Sequence, residues 1–425
     1  MSNCAVVGIN WGDEGKGRMV DLLTEEYDVV VRFQGGGNAG HTVMNDKGTF
    51  ALHLLPSGIL RDGVVNILGN GVALDPENLL KEIEEVRAKG VEITPENLKI
   101  SDRASLLMPW HRDLDELEEM RLKDKKYGST KQGIAPFYSD KYQKKTVLCG
   151  ELNYPDEMKE HVANILEWKN LTLTKVYGAK PYTMEMVNAW INNYCEKIKP
   201  FICDVGEYLK NAQDSGKKIM FEAQLGSLKD LDYGIYPYTT SSNTTALYAP
   251  IGSGFPGAKI DSTIGVVKAY STAVGEGAFV SEIFGEEADA LREAGHEYGA
   301  KTGRPRRVGA FDVVATRYGV EVQNATEIAL TKLDVLSYMD KIPVCTKYIV
   351  NGGETERFPF PSALDSSKPV IEYFDGWNCD ISRITKWEDL PENAKKYVLY
   401  IEKAIKCPIT YVSVGPERES IIVRK

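Results

Sequence analysis

Cys4-Ala-Val-Val-Gly-Ile-Asn10, then Trp11 and Gly12-Asp-Glu-Gly-Lys-Gly17, decide the fold class of this 425-residue chain. The first run is apolar and rich in β-branched residues, which is the pattern of a buried strand. The glycines after it turn the chain sharply, and Arg18-Met-Val-Asp-Leu-Leu-Thr-Glu-Glu26 reads as a helix. Tyr27-Asp-Val-Val-Val-Arg-Phe33 is a second strand, and it also ends in glycines, Gly35-Gly-Gly-Asn-Ala-Gly-His-Thr42. Strand, loop, helix and strand in that order predict a parallel α/β sheet.

The pattern extends outward. Val64–Leu68 reads as a strand. Asp75 caps a helix that starts at Pro76, runs to about Lys89 and stops at Gly90. Helical spacing of Met158, Val162, Ile165 and Leu166, and of Ile202, Val205 and Leu209, predicts a mainly helical insertion over 150–216. Lys217–Phe221, Ile264–Tyr270, Thr326–Thr331 and Ile342–Thr346 resume the strands. Tyr397–Ala404 is a late helix and Ile409–Ser413 a final strand. With no repeat or long linker in sight, one domain over 1–425 is expected.

Composition narrows the function. The net charge of −10 disfavours a nucleic-acid partner, since phosphate contacts need excess Lys and Arg. The seven cysteines are scattered with no CxxC, which argues for free thiols in a reducing compartment rather than a disulfide framework or zinc site. The absence of a leader-like start and of any apolar run near ~18 residues predicts a cytoplasmic protein without a membrane partner.

Gly12–Gly17 lies where backbone N–H groups and a helix start can hold phosphate, with Lys16 as a point charge. It is not a Walker A loop: Asn10 stands where that pattern needs Gly, and Gly17 where it needs Ser or Thr. Asp13 is out of place beside phosphate unless it binds a cation or takes a proton, although an N-cap would also explain it. His41, one of five histidines, sits at the mouth of the second strand, where it can face a developing anion. Thr331-Lys-Leu-Asp334 follows a strand. Its carboxylate can accept from guanine N1–H and the 2-amino group while the Lys stem packs on the ring. Lys301-Thr-Gly-Arg-Pro-Arg-Arg307 concentrates positive charge for carboxylates or phosphates.

These motifs, with Ser129-Thr-Lys-Gln-Gly-Ile-Ala-Pro136, Tyr236-Pro-Tyr-Thr-Thr-Ser-Ser-Asn243, Val267-Lys-Ala-Tyr270 and Val412-Ser-Val-Gly-Pro416, occur in one order nearly end to end. Together they resemble the adenylosuccinate synthetase family. The resemblance implies an α/β fold with a large, mostly parallel central sheet and flanking helices, P-loop-NTPase-like, with helical and loop excursions. It implies a ligase in which Asp13 takes the N1 proton of IMP while the GTP γ-phosphoryl group moves to the 6-oxygen, His41 steadies that group, and L-aspartate then displaces phosphate.

By the same resemblance, GTP meets Gly12, Asp13, Glu14, Gly15, Lys16, Gly17, Gly40, His41, Thr42 and Arg306, with Lys332, Leu333, Asp334, Ser413, Val414 and Gly415 around the guanine. IMP meets Asp13, Glu14, Gly15, Lys16, Asn38, Ala39, Gly40, His41, Thr130, Thr240 and Arg304. Aspartate meets Ala300, Lys301, Thr302, Gly303, Arg304, Pro305 and Arg306. Mg2+ is held by Asp13 and Gly40. A homodimer is implied, in which Lys144 reaches the partner's IMP site.

The chain departs from the family pattern at Lys144 and Ala273, where Arg is usual, and at Gly37, where Asn is usual. Leu225 stands where an IMP-contacting Gln belongs, so Gln224 is expected to take that role through a backbone shift. A sister ligase acting on GMP or dGMP, and a non-catalytic GTP-binding switch, are the alternative readings.

Overall fold

The computed structural model describes residues 3–38, 40–45, 48–299, 303 and 305–424. Ten strands form the central sheet: β1 Cys4–Gly8, β2 Val29–Arg32, β3 Val65–Leu68, β4 Leu98–Ser101, β5 Ile202–Cys203, β6 Ile219–Glu222, β7 Ser262–Lys268, β8 Glu327–Thr331, β9 Ile409–Ser413 and β10 Ile421–Val423. Their spatial order is β10-β9-β8-β7-β1-β6-β2-β3-β4-β5. Every neighbouring pair is parallel except β9 with the edge strand β10. β1, β2 and β6 are buried along their whole lengths, so both faces are covered and the strands read as apolar runs, with β2 ending in Arg32 and β6 in Glu222.

The winding of the sheet creates the site. From β1 the chain works outward through β2 to β5, returns to β6 beside β1, and then builds the other side through β7 to β10. The loops that follow β1, β6 and β7 therefore part above the carboxyl end of β1. A change of winding direction of this kind opens the crevice in which α/β sheets bind ligands.

The first helix, α1 Lys16–Leu23, begins earlier than the apolar periodicity indicates. Its N-cap is Gly15 at φ 92°, a left-handed conformation that costs a residue without a side chain little. Met19, Val20 and Leu23 pack with Val6, Val30, Met220 and Val266 against the sheet. The helix Pro76–Arg87 is capped as expected, with the Asp75 side chain accepting from the Asn78 N–H.

Residues 155–214 form mostly helices, but Ile202–Cys203 pairs with β4 and becomes the sheet edge. The expected strand at Ile342–Thr346 leaves the central sheet. It belongs to Lys341–Val350, which pairs antiparallel with Lys368–Asp375 and with Gly353–Thr355 in a separate small sheet. Asn351 and Gly352, both at positive φ, make the tight turn that folds this hairpin back on itself. Among the described residues no helix is long and apolar enough to cross a membrane.

Candidate active site

The parallel register brings the carboxyl ends of β1, β2, β6, β7, β8 and β9 to one edge, and each delivers a charged or polar group there. After β1, the Gly12–Gly17 loop passes close to the end of β6: a Cβ on Gly12 would lie 2.7 Å from Leu225 Cα. Gly17 is pressed against His41, where a Cβ would lie 2.6 Å from the His41 Cβ. The two glycine-rich loops are thus in contact, with Asp13 on the first loop and His41 beside it.

Glu14 fills the concave side of the loop. Its Oε1 accepts from the N–H groups of Asn10 at 3.0 Å and Gly12 at 2.7 Å. The Lys16 ammonium is 3.0 Å from Glu14 Oε2 and 3.1 Å from the Gly12 carbonyl, fully buried. A carboxylate here occupies backbone donors of the kind that bind phosphate at such loops.

Asp13 accepts from the Thr272 hydroxyl through Oδ1 at 2.6 Å. Its buried Oδ2 makes no hydrogen bond among the described residues, although Lys268 Nζ lies 3.3 Å and Arg306 Nε 3.7 Å away. Burial pushes its pKa up, but Lys268 and Arg306 outweigh burial, so the carboxyl group titrates below its usual range. Lys268 ends β7, and Thr272 lies on a short strand, Ser271–Ala273, paired with Arg307–Gly309.

His41 is 7% exposed, with Nδ1 2.6 Å from Glu222 Oε1 and Nε2 buried without a partner among the described residues. Glu222, completely buried at the end of β6, also accepts from Ser57 N at 2.8 Å and Ser57 Oγ at 2.7 Å, with Arg32 Nη1 at 3.9 Å. These donors, with Arg32 and His41, hold Glu222 ionised against burial, which fixes the His41 proton on Nδ1. Burial, only partly offset by Glu222, pushes the His41 pKa down to about 4.

The sign of this shift gives a test. An imidazole that protonates less readily in the folded state than in the unfolded state costs stability as pH falls from the unfolded pKa toward the folded one. Without ligands, the protein is expected to lose about 2–3 kcal/mol more stability between pH 7 and pH 4.5 than His41→Gln does. Urea titrations of both proteins at the two pH values measure this, and equal losses would show that His41 is not held neutral.

At the far end, Lys332 at φ 60° directs its ammonium to the Gly295 carbonyl at 2.6 Å and Glu297 Oε1 at 2.8 Å. Burial raises the pKa of Asp334 despite the opposing charges of Arg18 and Lys332. Thr331 Oγ1 donates to the Glu14 carbonyl at 2.8 Å, and Leu333 N donates to the Ser413 carbonyl at 3.1 Å. The guanine-type motif is thereby joined to the phosphate-type loop and to β9. Val414 is buried, with its N–H on the Ser420 carbonyl, and Gly415 packs against Ser420. Arg18, on α1, donates to Ser413 Oγ and to the Glu417 carbonyl, so it braces the same loop.

Other sequence-predicted residues sit as follows. Thr240 is buried with its hydroxyl unpartnered among the described residues. Asn38 Oδ1 accepts from Gly36 N at 3.3 Å, while Gly40 and Thr42 are exposed. Lys144 is exposed and has φ 61°, and Thr130 is exposed as well. The Gln224 amide is committed to the second loop: it accepts from Gly36 N and donates to the carbonyls of Gly36 at 2.7 Å and His53 at 3.2 Å. Leu225 follows at φ 59°. Gly303 is exposed, and Pro305 bridges to Tyr298. Ala39, Ala300, Lys301, Thr302 and Arg304 lie outside the described residues.

Sequence reasoning passed over Glu222, Ser57, Lys268, Thr272, Arg18 and Glu297. For Glu222 and Lys268 a signal was present, a charged residue ending an otherwise apolar strand.

Comparison with known proteins identifies the family and the fold. The family model "Adenylosuccinate synthetase" matches residues 5–422. An adenylosuccinate synthetase from Caldanaerobacter subterraneus is 46% identical over all of this chain and 99% of its own length. Adenylosuccinate synthetase 2 from Pseudoalteromonas translucida is 48% identical, with both chains covered completely. The fully ligated adenylosuccinate synthetase of Plasmodium falciparum superimposes with a TM-score of 0.93 at 37% identity over the whole of both chains. A cyanophage S-2L succinoaminodeoxyadenylate synthetase bound to dGMP and dATP shares the fold, with a TM-score of 0.61 at 18% identity over 100% of this chain and 95% of its own. A family model that spans residues 5–422, full-length relatives at this identity and a shared fold place the chain in the adenylosuccinate synthetase family.

Proposed function

We propose that the protein joins the amine of L-aspartate to C6 of IMP at the expense of GTP, through a 6-phosphoryl intermediate, giving adenylosuccinate, GDP and phosphate. One observation supports this above the others. Two buried polar atoms without partners among the described residues, Asp13 Oδ2 and His41 Nε2, flank one glycine-rich loop at the switch point. A simple nucleotide switch has no need of either.

The chemistry follows from the groups. A purine 6-oxygen is a poor leaving group until it is phosphorylated. Asp13, ionised and without a hydrogen bond on Oδ2, takes the N1 proton of IMP, and electron density moves to O6, which attacks the γ-phosphorus of GTP. Phosphate arriving at the Gly12–Gly17 loop competes with Glu14 for the backbone N–H groups and frees Lys16. The phosphoryl charge raises the proton affinity of His41. The ring takes up a proton, keeps Nδ1–H on Glu222 and donates from Nε2 to the transferring group. The aspartate amine then adds at C6 and phosphate departs. Most of the acceleration is positioning and charge neutralisation, as expected for phosphoryl transfer.

Mg2+ fits this set. Asp13 Oδ1 is a hard oxygen that accepts from the Thr272 hydroxyl and keeps a second lone pair for the ion, which leaves Oδ2 for the purine N1 proton, and Mg2+ is commonly held by one or two carboxylates together with substrate phosphates. Asp13 and the Gly40 carbonyl would hold it, and the ion would neutralise phosphate charge. Arg304, with the segment from Ala300 to Arg306, takes the aspartate carboxylates, while Asn38, Thr130 and Thr240 take IMP. Lys144, exposed just past the helix Ile134–Tyr142, is the residue that reaches the site of a second copy in a homodimer. The protein works in the cytoplasm as a single domain with a mainly helical excursion.

Asp334 accounts for the choice of GTP. Changing it to Asn leaves one oxygen for the guanine N1–H but sets an amide donor against the 2-amino group. GTP kcat/KM is expected to fall about 100-fold or more, with partial recovery on xanthosine triphosphate, whose 2-oxo group accepts from that amide. Equal loss on both nucleotides would remove Asp334 from guanine recognition. The overall reading is tested by ultraviolet absorbance as the 6-oxo purine becomes 6-amino substituted. The change should require GTP, IMP and aspartate together. Faster turnover with GMP or dGMP than with IMP would replace IMP as substrate, and GTP hydrolysis independent of both co-substrates would favour a switch.

A further inference from the structure

Glu297 lies just past the helix Gly285–Gly295 and is completely buried. Its Oε1 accepts from Lys268 Nζ at 2.9 Å, Tyr270 OH at 2.5 Å and Lys332 Nζ at 2.8 Å. Its Oε2 accepts from Lys268 Nζ at 3.0 Å and Arg306 Nη1 at 2.6 Å. The backbone adds a further tie, since Arg306 N donates to the Glu297 carbonyl at 2.9 Å. Besides this carboxylate, the Lys332 ammonium donates to the Gly295 carbonyl, which belongs to the same turn.

Three cations that serve three parts of the reaction thus converge on one side chain. Lys268 stands beside Asp13, Lys332 belongs to the guanine motif, and Arg306 closes the segment expected to take aspartate. Without Glu297, two lysines and an arginine would face one another without the carboxylate that bonds all three, and like charges at this separation drive flexible side chains apart.

We infer that Glu297 is a positioning residue that ties the guanine-reading Lys332 and the aspartate-side Arg306 to a single carboxylate, so that the GTP and aspartate sites are built on one shared ion cluster. The inference rests on the ligase reading above. Glu297 touches none of the substrates and acts through its cations. A residue that merely stabilised the fold would lower the melting temperature without singling out two of three substrates.

The test is steady-state kinetics on the full chain, for wild type, Glu297→Gln, Glu297→Asp, Lys332→Ala and the double variant Glu297→Gln/Lys332→Ala. Glu297→Gln is expected to raise the KM for GTP and for aspartate about tenfold or more each, while the KM for IMP stays within about threefold. The double variant should be no worse toward GTP than the poorer single variant, because both changes remove the same tie. Glu297→Asp keeps the charge with a shorter reach and should recover part of one KM.

A folded Glu297→Gln with unchanged KM for GTP and aspartate overturns the inference. So does a rise shared equally by IMP, or additive losses in the double variant. If Glu297→Gln melts below the assay temperature, Glu297→Asp decides: selective rises for GTP or aspartate support the tie, and wild-type values refute it. Absence of ligation by the wild-type protein would sink the functional reading itself, which is a different result from an active enzyme indifferent to Glu297.

Discussion

Asp13→Asn is expected to lower kcat by about 1,000-fold, with the KM for GTP and IMP changed only a few-fold. The asparagine keeps the shape and can still accept from the Thr272 hydroxyl, so the loop retains its 2.6 Å contact. It cannot take a proton from the purine. Lys268 and Arg306 lose a carboxylate at 3.3 and 3.7 Å but keep Glu297, so the loss falls on chemistry rather than on folding. Initial rates at saturating substrates, with a melting curve as control, measure this. A kcat within tenfold of wild type would mean that another group removes the proton.

Glu222→Gln should be the second large loss, about 100- to 1,000-fold in kcat with little change in the KM for GTP. The amide is nearly isosteric, and its oxygen can still accept from the Ser57 hydroxyl, which lies 2.7 Å from the native Oε1. What disappears is the negative charge that allows His41 to hold a second proton beside the transferring phosphoryl group. The stability cost is separable. Arg32, fully buried and 3.9 Å from Glu222, would lose its nearest carboxylate but keep the carbonyls of His53 and Leu55. Combining Glu222→Gln with His41→Ala should cost little beyond His41→Ala alone, because the pair acts as a unit. Multiplicative losses would show that Glu222 works elsewhere.

The parts of this molecule that were readable in its sequence are the local ones. Cys4–Gly8, Val29–Arg32 and Val65–Leu68 announce themselves as apolar runs, and Asp75-Pro76 announces a helix start, because the physics involved lies within a few residues. Asp13 stood out because a carboxylate in a phosphate-type loop needs a reason. Glu222 and Lys268 showed only as charged ends of apolar strands and Glu297 not at all, because their partners His41, Asp13 and Lys332 are brought to them by the sheet order. Ile202–Cys203 is too short for any alternation to show, and Ile342–Thr346 has the pattern of a strand without any sign of which sheet it joins. Gln224 illustrates the same limit: its amide bonds the carbonyls of Gly36 and His53, partners that lie far from it along the chain.

In the proposed reaction the 6-oxygen of the purine leaves as part of the phosphate. The direct measurement is turnover of IMP labelled with heavy oxygen at position 6, followed by phosphorus NMR or mass analysis of the phosphate released. Transfer of the γ-phosphoryl group to O6 predicts that each phosphate carries the label. Unlabelled phosphate, with the heavy oxygen released to water, would mean that GTP is hydrolysed separately, and it would contradict Asp13 as the base and His41 as the phosphoryl-stabilising group.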